Sequence, residues 1–221
     1  MNAPFKLPKP KQGLLVTIVG AESTGKTTLA LELVEQLKAK GHHATMVPEV
    51  LREFCDREGR TPHEHEQLGL AQAQTHRIQA ARAEHDIVVA DTSALMISVY
   101  SEFIFGDVSL HAMALEAHAQ SDLTLLTAVD LPWVADGFVR DGEHVRAPVD
   151  ALIRSKLIEA GLSHSVIGGT GAQRGAAALS VVEHALHVAE LQRSGQPRKP
   201  WRWICEKCDD GDCEQHGPVA A

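Results

Sequence analysis

The chain of 221 residues is poor in aromatic side chains, with five Phe, three Trp and one Tyr. Any ring-shaped ligand therefore has few faces to lie against. No apolar run approaches the roughly eighteen residues that a membrane helix needs, so no span is expected. The Lys- and Pro-rich start, residues 1–12, is not followed by an apolar core with a small-residue cleavage site. Leu14–Val19 is too short to serve as one, and the location expected is cytoplasmic. A basic excess is also missing. The formal charge is -8, which argues against nucleic acid as a partner. Cysteine is sparse, with four in all, three of them crowded near the end. In a reducing compartment they do not read as a disulfide framework. Internal repeats and low-complexity tracts are absent.

What is present centres on Gly20-Ala21-Glu22-Ser23-Thr24-Gly25-Lys26-Thr27-Thr28. A glycine, four residues, then Gly-Lys-Thr is the Walker A spacing. It follows the apolar run Leu14–Val19, which reads as a buried parallel strand. It precedes a helical pattern carrying Leu29, Leu33, Val34 and Leu37 on one face. Glycines let the backbone curl so that several N–H groups converge on one anion, and the helix start adds its positive dipole end. Lys26 is expected to reach the β and γ phosphates of ATP, and Thr27 to coordinate Mg²⁺. The expected ATP site thus comprises Gly20, Glu22, Ser23, Thr24, Gly25, Lys26, Thr27 and Thr28. The bland alternative, a turn that merely joins strand to helix, fits the flanks less well.

A chain of this length fits one α/β domain with tails. Strand-like runs at 14–19, 44–48, 87–90, 123–129 and 165–167 alternate with helical patterns. That alternation predicts a P-loop NTPase fold with a parallel sheet of about five strands and helices on both faces. The expected boundaries are a flexible arm over 1–12, the main domain over 13–193, and a linker and tail over 194–221. Thr61 reads as a cap with Pro62 at the first helical position, ahead of a long helix over 63–84. Residues 136–149 read as a Gly-, Asp- and Arg-rich loop, and 175–193 as the last helix.

Ligands on such sheets bind beyond the carboxyl ends of the strands. Glu49, Asp91, Asp130 and Gly168 all fall at such ends. Four apolar residues closed by Asp91 have the Walker B form. Phosphoryl transfer needs a carboxylate to hold the attacking hydroxyl and accept its proton, and Glu49 and Asp91 are the candidates. Asp91 can instead hold Mg²⁺ through water; for either residue the plain reading is a helix cap or surface ion pair. Arg52 reads equally as a substrate-binding fork or as a salt-bridge partner of Glu49 or Glu53. The His63-Glu64-His65-Glu66 stretch is a solvated helix end, because successive residues there point different ways. In the tail, Cys205, Cys208, Cys213 and His216 give Cys-x2-Cys-x4-Cys-x2-His, four soft ligands that suit a closed, structural zinc site. The plain reading there is an acidic tail with incidental thiols.

The phosphate loop, Val47-Pro48-Glu49 with Arg52-Glu53, Leu95-Met96 with Tyr100-Ser101, and Leu131-Pro132-Trp133 with Asp136-Gly137 together resemble the nicotinamide riboside kinase domain of the NadR type. The resemblance covers roughly residues 13–192. It implies transfer of the γ-phosphoryl group of ATP to the 5′-hydroxyl of nicotinamide riboside, giving the mononucleotide. It places Glu49 beside the sugar. It makes 136–149 a lid in which Arg140, ahead of Arg146, meets charge on the transferred group. It puts adenine near Gly168 to Arg174, with Gly171 and Arg174 as contacts. The cationic ring wants an aromatic face, and of Phe54, Tyr100, Phe103 and Trp133 the choice falls on Tyr100 and Trp133. Substrate binding is thus assigned to Glu49, Arg52, Asp91, Tyr100, Trp133 and Asp136, and catalysis to Lys26, Asp91, Glu49 and Arg140. NadR-type proteins usually carry an adenylyltransferase domain ahead of the kinase; with a dozen residues before the first strand, the domain is expected to stand alone. Two alternatives stay open: a kinase for another nucleoside, and a regulatory P-loop ATPase with a protein-docking tail. The partner expected is a small-molecule nucleoside, with no nucleic acid or membrane, and a homo-oligomer is left open.

Overall fold

The computed structural model describes residues 12–134 and 142–193. The described residues through His184 form one compact unit; the second begins at Ala185 and is described only over the last turns of a helix. Five strands, β1 (Leu14–Val19), β2 (Ala44–Val47), β3 (Ile87–Asp91), β4 (Leu123–Thr127) and β5 (Ser165–Ile167), alternate with seven helices among the described residues. The helices are α1 (Lys26–Ala39), α2 (Val50–Glu58), α3 (Gln67–Glu84), α4 (Ala94–Phe105), α5 (His111–His118), α6 (Arg146–Glu159) and α7 (Gly171–Arg193).

The strands form one parallel sheet in the order β2-β3-β1-β4-β5. β1 and β3 are the central pair on which the rest is built, and their near-continuous apolar runs are what burial on both faces demands. On one face Leu15, Val47, Val88 and Ala90 meet Ile78 of α3. Further along the same face, Val19 and Leu126 meet Leu95, Met96 and Val99 of α4 and Val149, Ile153 and Leu157 of α6. The pleat sends Val16, Ile18, Val89 and Leu125 to the opposite face, where they are fully buried too. α1 packs against β1, β2 and β3 with Leu29, Leu33 and Leu37 buried. Helices therefore cover both faces. α4 is apolar nearly all round, as fits a helix packed against α3, α5 and α6.

Helix starts differ from the sequence reading, for local reasons. Thr61 does not cap and Pro62 does not begin the long helix. A 3-10 turn, Glu64–Glu66, comes first, fixed by Glu66, which accepts from His63 N at 2.7 Å and pairs with Arg60 at 2.7 Å. α3 then starts at Gln67. Residues 146–149, read as loop, belong to α6. Pro148 is its third residue, where an N–H would have no partner within the helix anyway. α7 begins at Gly171, four residues before the expected 175. β2 ends at Val47 because Pro48 has no donor to continue the ladder.

His118, 1% exposed, joins two of these elements from inside. Its Nδ1 lies 2.9 Å from Ser93 Oγ, the cap of α4, and its Nε2 3.0 Å from Thr124 Oγ1 on β4. Burial pushes its pKa down to about 4, so the ring is neutral at pH 7. The unfolded chain takes up a proton near pH 6.5, its ordinary value, while the folded chain takes it up only near 4. Stability is therefore complete above about pH 6.5 and falls as pH drops toward 4, by on the order of 3 kcal/mol. We expect His118→Gln to flatten this loss. Denaturant unfolding between pH 7.5 and pH 4 checks it: the gap between wild type and variant should narrow as pH falls, and a constant gap would refute the assignment.

Candidate active site at the carboxyl edge of the sheet

β1 ends at Val19 and the chain turns sharply. Gly20, Ser23 and Gly25 have φ of 155°, 54° and 75°. A Cβ on Gly20 would collide with Thr127 Oγ1, so glycine is required there for space as well as for φ. The Thr24 and Thr127 hydroxyls lie 2.7 Å apart, with Ala21 O and Val19 O as further acceptors. These bonds fasten the loop to the end of β4. Lys26 Nζ donates to Ala21 O at 2.9 Å, which holds the ammonium over the loop.

Thr27 Oγ1 donates to Asp91 Oδ2 at 2.6 Å. Asp91 is 1% exposed, and its Oδ1 has no hydrogen-bond partner among the described residues. Thr92 follows at φ 72°, a left-handed conformation that a β-branched residue adopts only under strain of about 1–3 kcal/mol. Its N–H donates to Ile18 O at 3.0 Å, which holds the bend. A hydroxyl beside a buried carboxylate with one oxygen unspent is a donor set that fits Mg²⁺, a hard cation.

Register fixes what stands on either side. Val47 pairs with Ala90 and Ile18 with Asp91, so Glu49 and Asp91 leave neighbouring strands. Glu49 precedes α2, with its side chain 15% exposed and Arg52 Nε 3.8 Å away; Glu53 pairs instead with Arg77 at 2.6 Å. Tyr100 is half-buried against the cluster of Val19, Ala21 and Met96. Trp133 is half-buried in the segment after β4, and the next residue, Val134, donates from its N–H to Ser23 Oγ at 2.9 Å. Phe54 is core, packed between α2, α3 and α4 with the Arg57 and Arg60 guanidinium groups over its ring.

On the other side, Asp130 accepts from Gly169 N at 2.6 Å and from Arg174 Nη1 at 2.8 Å. Burial works against the charge of this carboxylate, but these two donors hold its pKa below the usual range. Arg174 is buried, and its Nη2 donates to Thr24 O at 2.8 Å. Arg146, also buried, donates to Leu131 O at 2.8 Å and more weakly to Ser23 O at 3.5 Å. The sequence reading preferred Arg140 to Arg146. Arg140 and Asp136 lie outside the described residues, as do Cys205, Cys208, Cys213 and His216. Arg146, Val149, Ile153 and Leu157 share one face at helical spacing, the pattern that carries α6 back to Arg146. Thr127, which the reading missed, looks like any β-branched strand residue and gave no signal.

Residues 15–174 match the profile of a family described as AAA domain. No curated protein matches the sequence. The fold is similar to that of NadR protein in complex with NAD and AMP-PNP (TM-score 0.65, 21% identity, covering 79% of this chain and 50% of that one). It is similar to NadR protein in complex with NR (0.64, 22%, 78% and 51%). Thymidylate kinase from Ehrlichia chaffeensis also matches (0.57, 14%, 77% and 99%). The chain thus spans about half the length of the NadR chains, and at these identities the likeness is one of fold: a P-loop NTPase sheet with its helices.

The threonine clasp makes a testable demand on the loop. Gly20→Ala should drive Thr127 Oγ1 off Thr24 and weaken ATP binding by about tenfold or more, since a Cβ there also carries left-handed strain. Titration calorimetry with ATP reads the change, and an affinity within twofold of wild type would contradict it.

Proposed function

The chain belongs to the AAA domain family, and we propose that it is an ATP-dependent kinase that phosphorylates the 5′-hydroxyl of nicotinamide riboside. The observation that carries this reading is the order of groups along the sheet edge. Two acidic residues, Glu49 and Asp91, stand on adjacent strand ends beside a phosphate loop with Lys26 over it. The choice of nucleoside is supported by the sequence resemblance at Trp133, Asp136 and Gly137 and by the likeness of fold to NadR protein complexed with NR.

In this mechanism the loop N–H groups, Lys26 and the start of α1 grip the triphosphate. Thr27 and Asp91 would hold Mg²⁺, which when bound offsets charge on the phosphate oxygens. Asp91 is already engaged with Thr27, so Glu49 takes the acceptor side. It orients the 5′-hydroxyl and accepts its proton as the new O–P bond forms and the bond from Pγ to the bridging oxygen breaks, releasing ADP. Arg52, paired with Glu49, steadies that carboxylate and the sugar. Tyr100 and Trp133 offer faces to the cationic ring. Arg140 and Asp136 are assigned to the lid and Gly171 to the adenine end. No described helix is long and apolar enough to cross a membrane.

A panel of nucleosides with ATP, nicotinamide riboside first, tests the proposal. ADP release should depend on the acceptor; release without any acceptor would favour a regulatory ATPase, and release with a different nucleoside would move the substrate assignment. Lys26→Ala should lower turnover by about a hundredfold or more without unfolding the chain. Glu49→Gln should lower kcat by a similar factor with the KM for ATP unchanged. Near-normal turnover in either variant would defeat its assigned role.

For the tail, the zinc reading of Cys205, Cys208, Cys213 and His216 is carried forward on ligand spacing alone. Metal analysis of the full chain should find about one equivalent of zinc that chelators remove; a content near zero would dismiss it.

A further inference from the structure

Arg174 has a place that the phosphate-binding reading does not use. It lies in the first turn of α7, is 5% exposed, and spends its guanidinium on three acceptors. Nη1 donates to Asp130 Oδ1 at 2.8 Å and to Gly169 O at 2.9 Å, and Nη2 donates to Thr24 O at 2.8 Å. The last of these is a carbonyl of the phosphate loop itself. Its buried Nε has no partner among the described residues, but both Nη groups are taken up by protein oxygens, and through Thr24 O the guanidinium meets the back of the loop.

We propose that Arg174 is a positioning residue that orients the phosphate loop from its carbonyl side, with Asp130 as the anchor that holds it there. The inference rests on the loop binding a triphosphate, and therefore on the first half of the proposed function only. A peptide unit is planar and trans, so its C=O and N–H point in opposite directions. Fixing Thr24 O toward Arg174 turns the N–H of Gly25 the other way, toward the side on which Lys26 and the start of α1 meet an anion. A charge-assisted bond on the carbonyl also polarises that peptide, which makes its N–H a stronger donor. Gly25 needs such a hold. It sits at φ 75°, and no side chain caps α1 at that position.

Asp130 makes the arrangement affordable in a buried setting. An unpaired guanidinium there would be costly, and the carboxylate at 2.8 Å compensates it. Asp130 also receives Gly169 N–H at 2.6 Å, so the turn between β5 and α7 is clamped by the same group that clamps the loop. The backs of two ligand-facing segments, the phosphate loop and the turn after β5, are tied to one ion pair. Arg146 acts beside it, with a firm bond to Leu131 O and a weak contact to Ser23 O, the neighbouring carbonyl of the loop.

Two probes separate this role from direct contact with the base: ATP and inorganic triphosphate, which has no adenine. Both are titrated calorimetrically against wild type, Arg174→Met, Arg174→Lys and Asp130→Asn. Arg174→Met should weaken ATP and inorganic triphosphate by the same factor, about ten- to a hundredfold, as loss of a charge-assisted bond predicts. Arg174→Lys should regain part of it, because one ammonium can reach one of the three acceptors. Asp130→Asn keeps the guanidinium and gives a milder, equal loss, so a poorly folding Arg174→Met does not end the test. Loss of ATP affinity with triphosphate affinity unchanged would make Arg174 an adenine contact and overturn the proposal. Unchanged affinities with only a lowered Tm would reduce it to a structural clamp, and a wild type that binds neither probe would overturn it as well. Binding needs no acceptor, so a chain that binds both probes yet phosphorylates no nucleoside leaves this inference standing while the kinase reading falls.

Discussion

Backbone N–H groups can surround a phosphate only if the chain is held in conformations that most residues avoid, and in this protein Gly20, Ser23 and Gly25 carry that demand. The loop does not hold itself. Thr127 at the end of β4 braces it through Thr24; Arg174 from α7 takes Thr24 O; Ser23 Oγ binds the backbone of Val134. Each brace comes from a different part of the chain, so the loop is shaped only once the sheet is complete. The parallel order β2-β3-β1-β4-β5 matters because it puts β1 in the middle, where neighbours on both sides can reach the loop.

Charge is arranged along the same edge. From β2 to β5 the strand ends carry Glu49, Asp91, the loop with Lys26, Asp130, and the Gly168-Gly169 turn. All three acids have partners in the protein: Glu49 has Arg52 Nε at 3.8 Å. Asp130 is compensated by Arg174, and one oxygen of Asp91 by the Thr27 hydroxyl. The groups that the proposed function turns toward a ligand are Lys26, the start of α1, Glu49 and the second oxygen of Asp91. A set that joins a cation and a helix start to carboxylates suits a polyanion carried with its metal better than a bare anion or a bare cation. A net charge of -8 for the chain is no obstacle, because the field at this edge is set by groups within a few ångströms.

Much of this could be read from the sequence, because the relevant rules are local. Glycine spacing is itself geometry, so Gly20 to Thr28 announced the loop. Apolar runs closed by polar residues put Glu49, Asp91 and Asp130 at strand ends on one edge. What escaped were the contacts between segments distant in the chain. Arg174 and Thr24 are 150 residues apart, and nothing near either one says that a guanidinium will meet a loop carbonyl. Thr127 is equally silent. The start of α6 was misplaced for the opposite reason: Pro148 is a strong local stop sign, yet a proline in the first turn of a helix breaks no hydrogen bond. The apolar spacing Val149, Ile153, Leu157 extended back to Arg146 and outweighed it.

The two halves of the edge differ in burial, and that difference has a chemical meaning. On the donor side Thr24, Asp91, Thr127, Arg146 and Arg174 are all buried, so a change in any of them disturbs the fold together with the site. At the end that the proposal gives to the acceptor, Arg52 is 43% exposed, Glu49 15%, and Tyr100 half-buried. Arg52 in particular can be exchanged without emptying a core. On the proposed kinase reading, specificity would rest on Glu49, Arg52, Tyr100 and Trp133 at the more open end of the edge, and the phosphate grip on residues that the core holds.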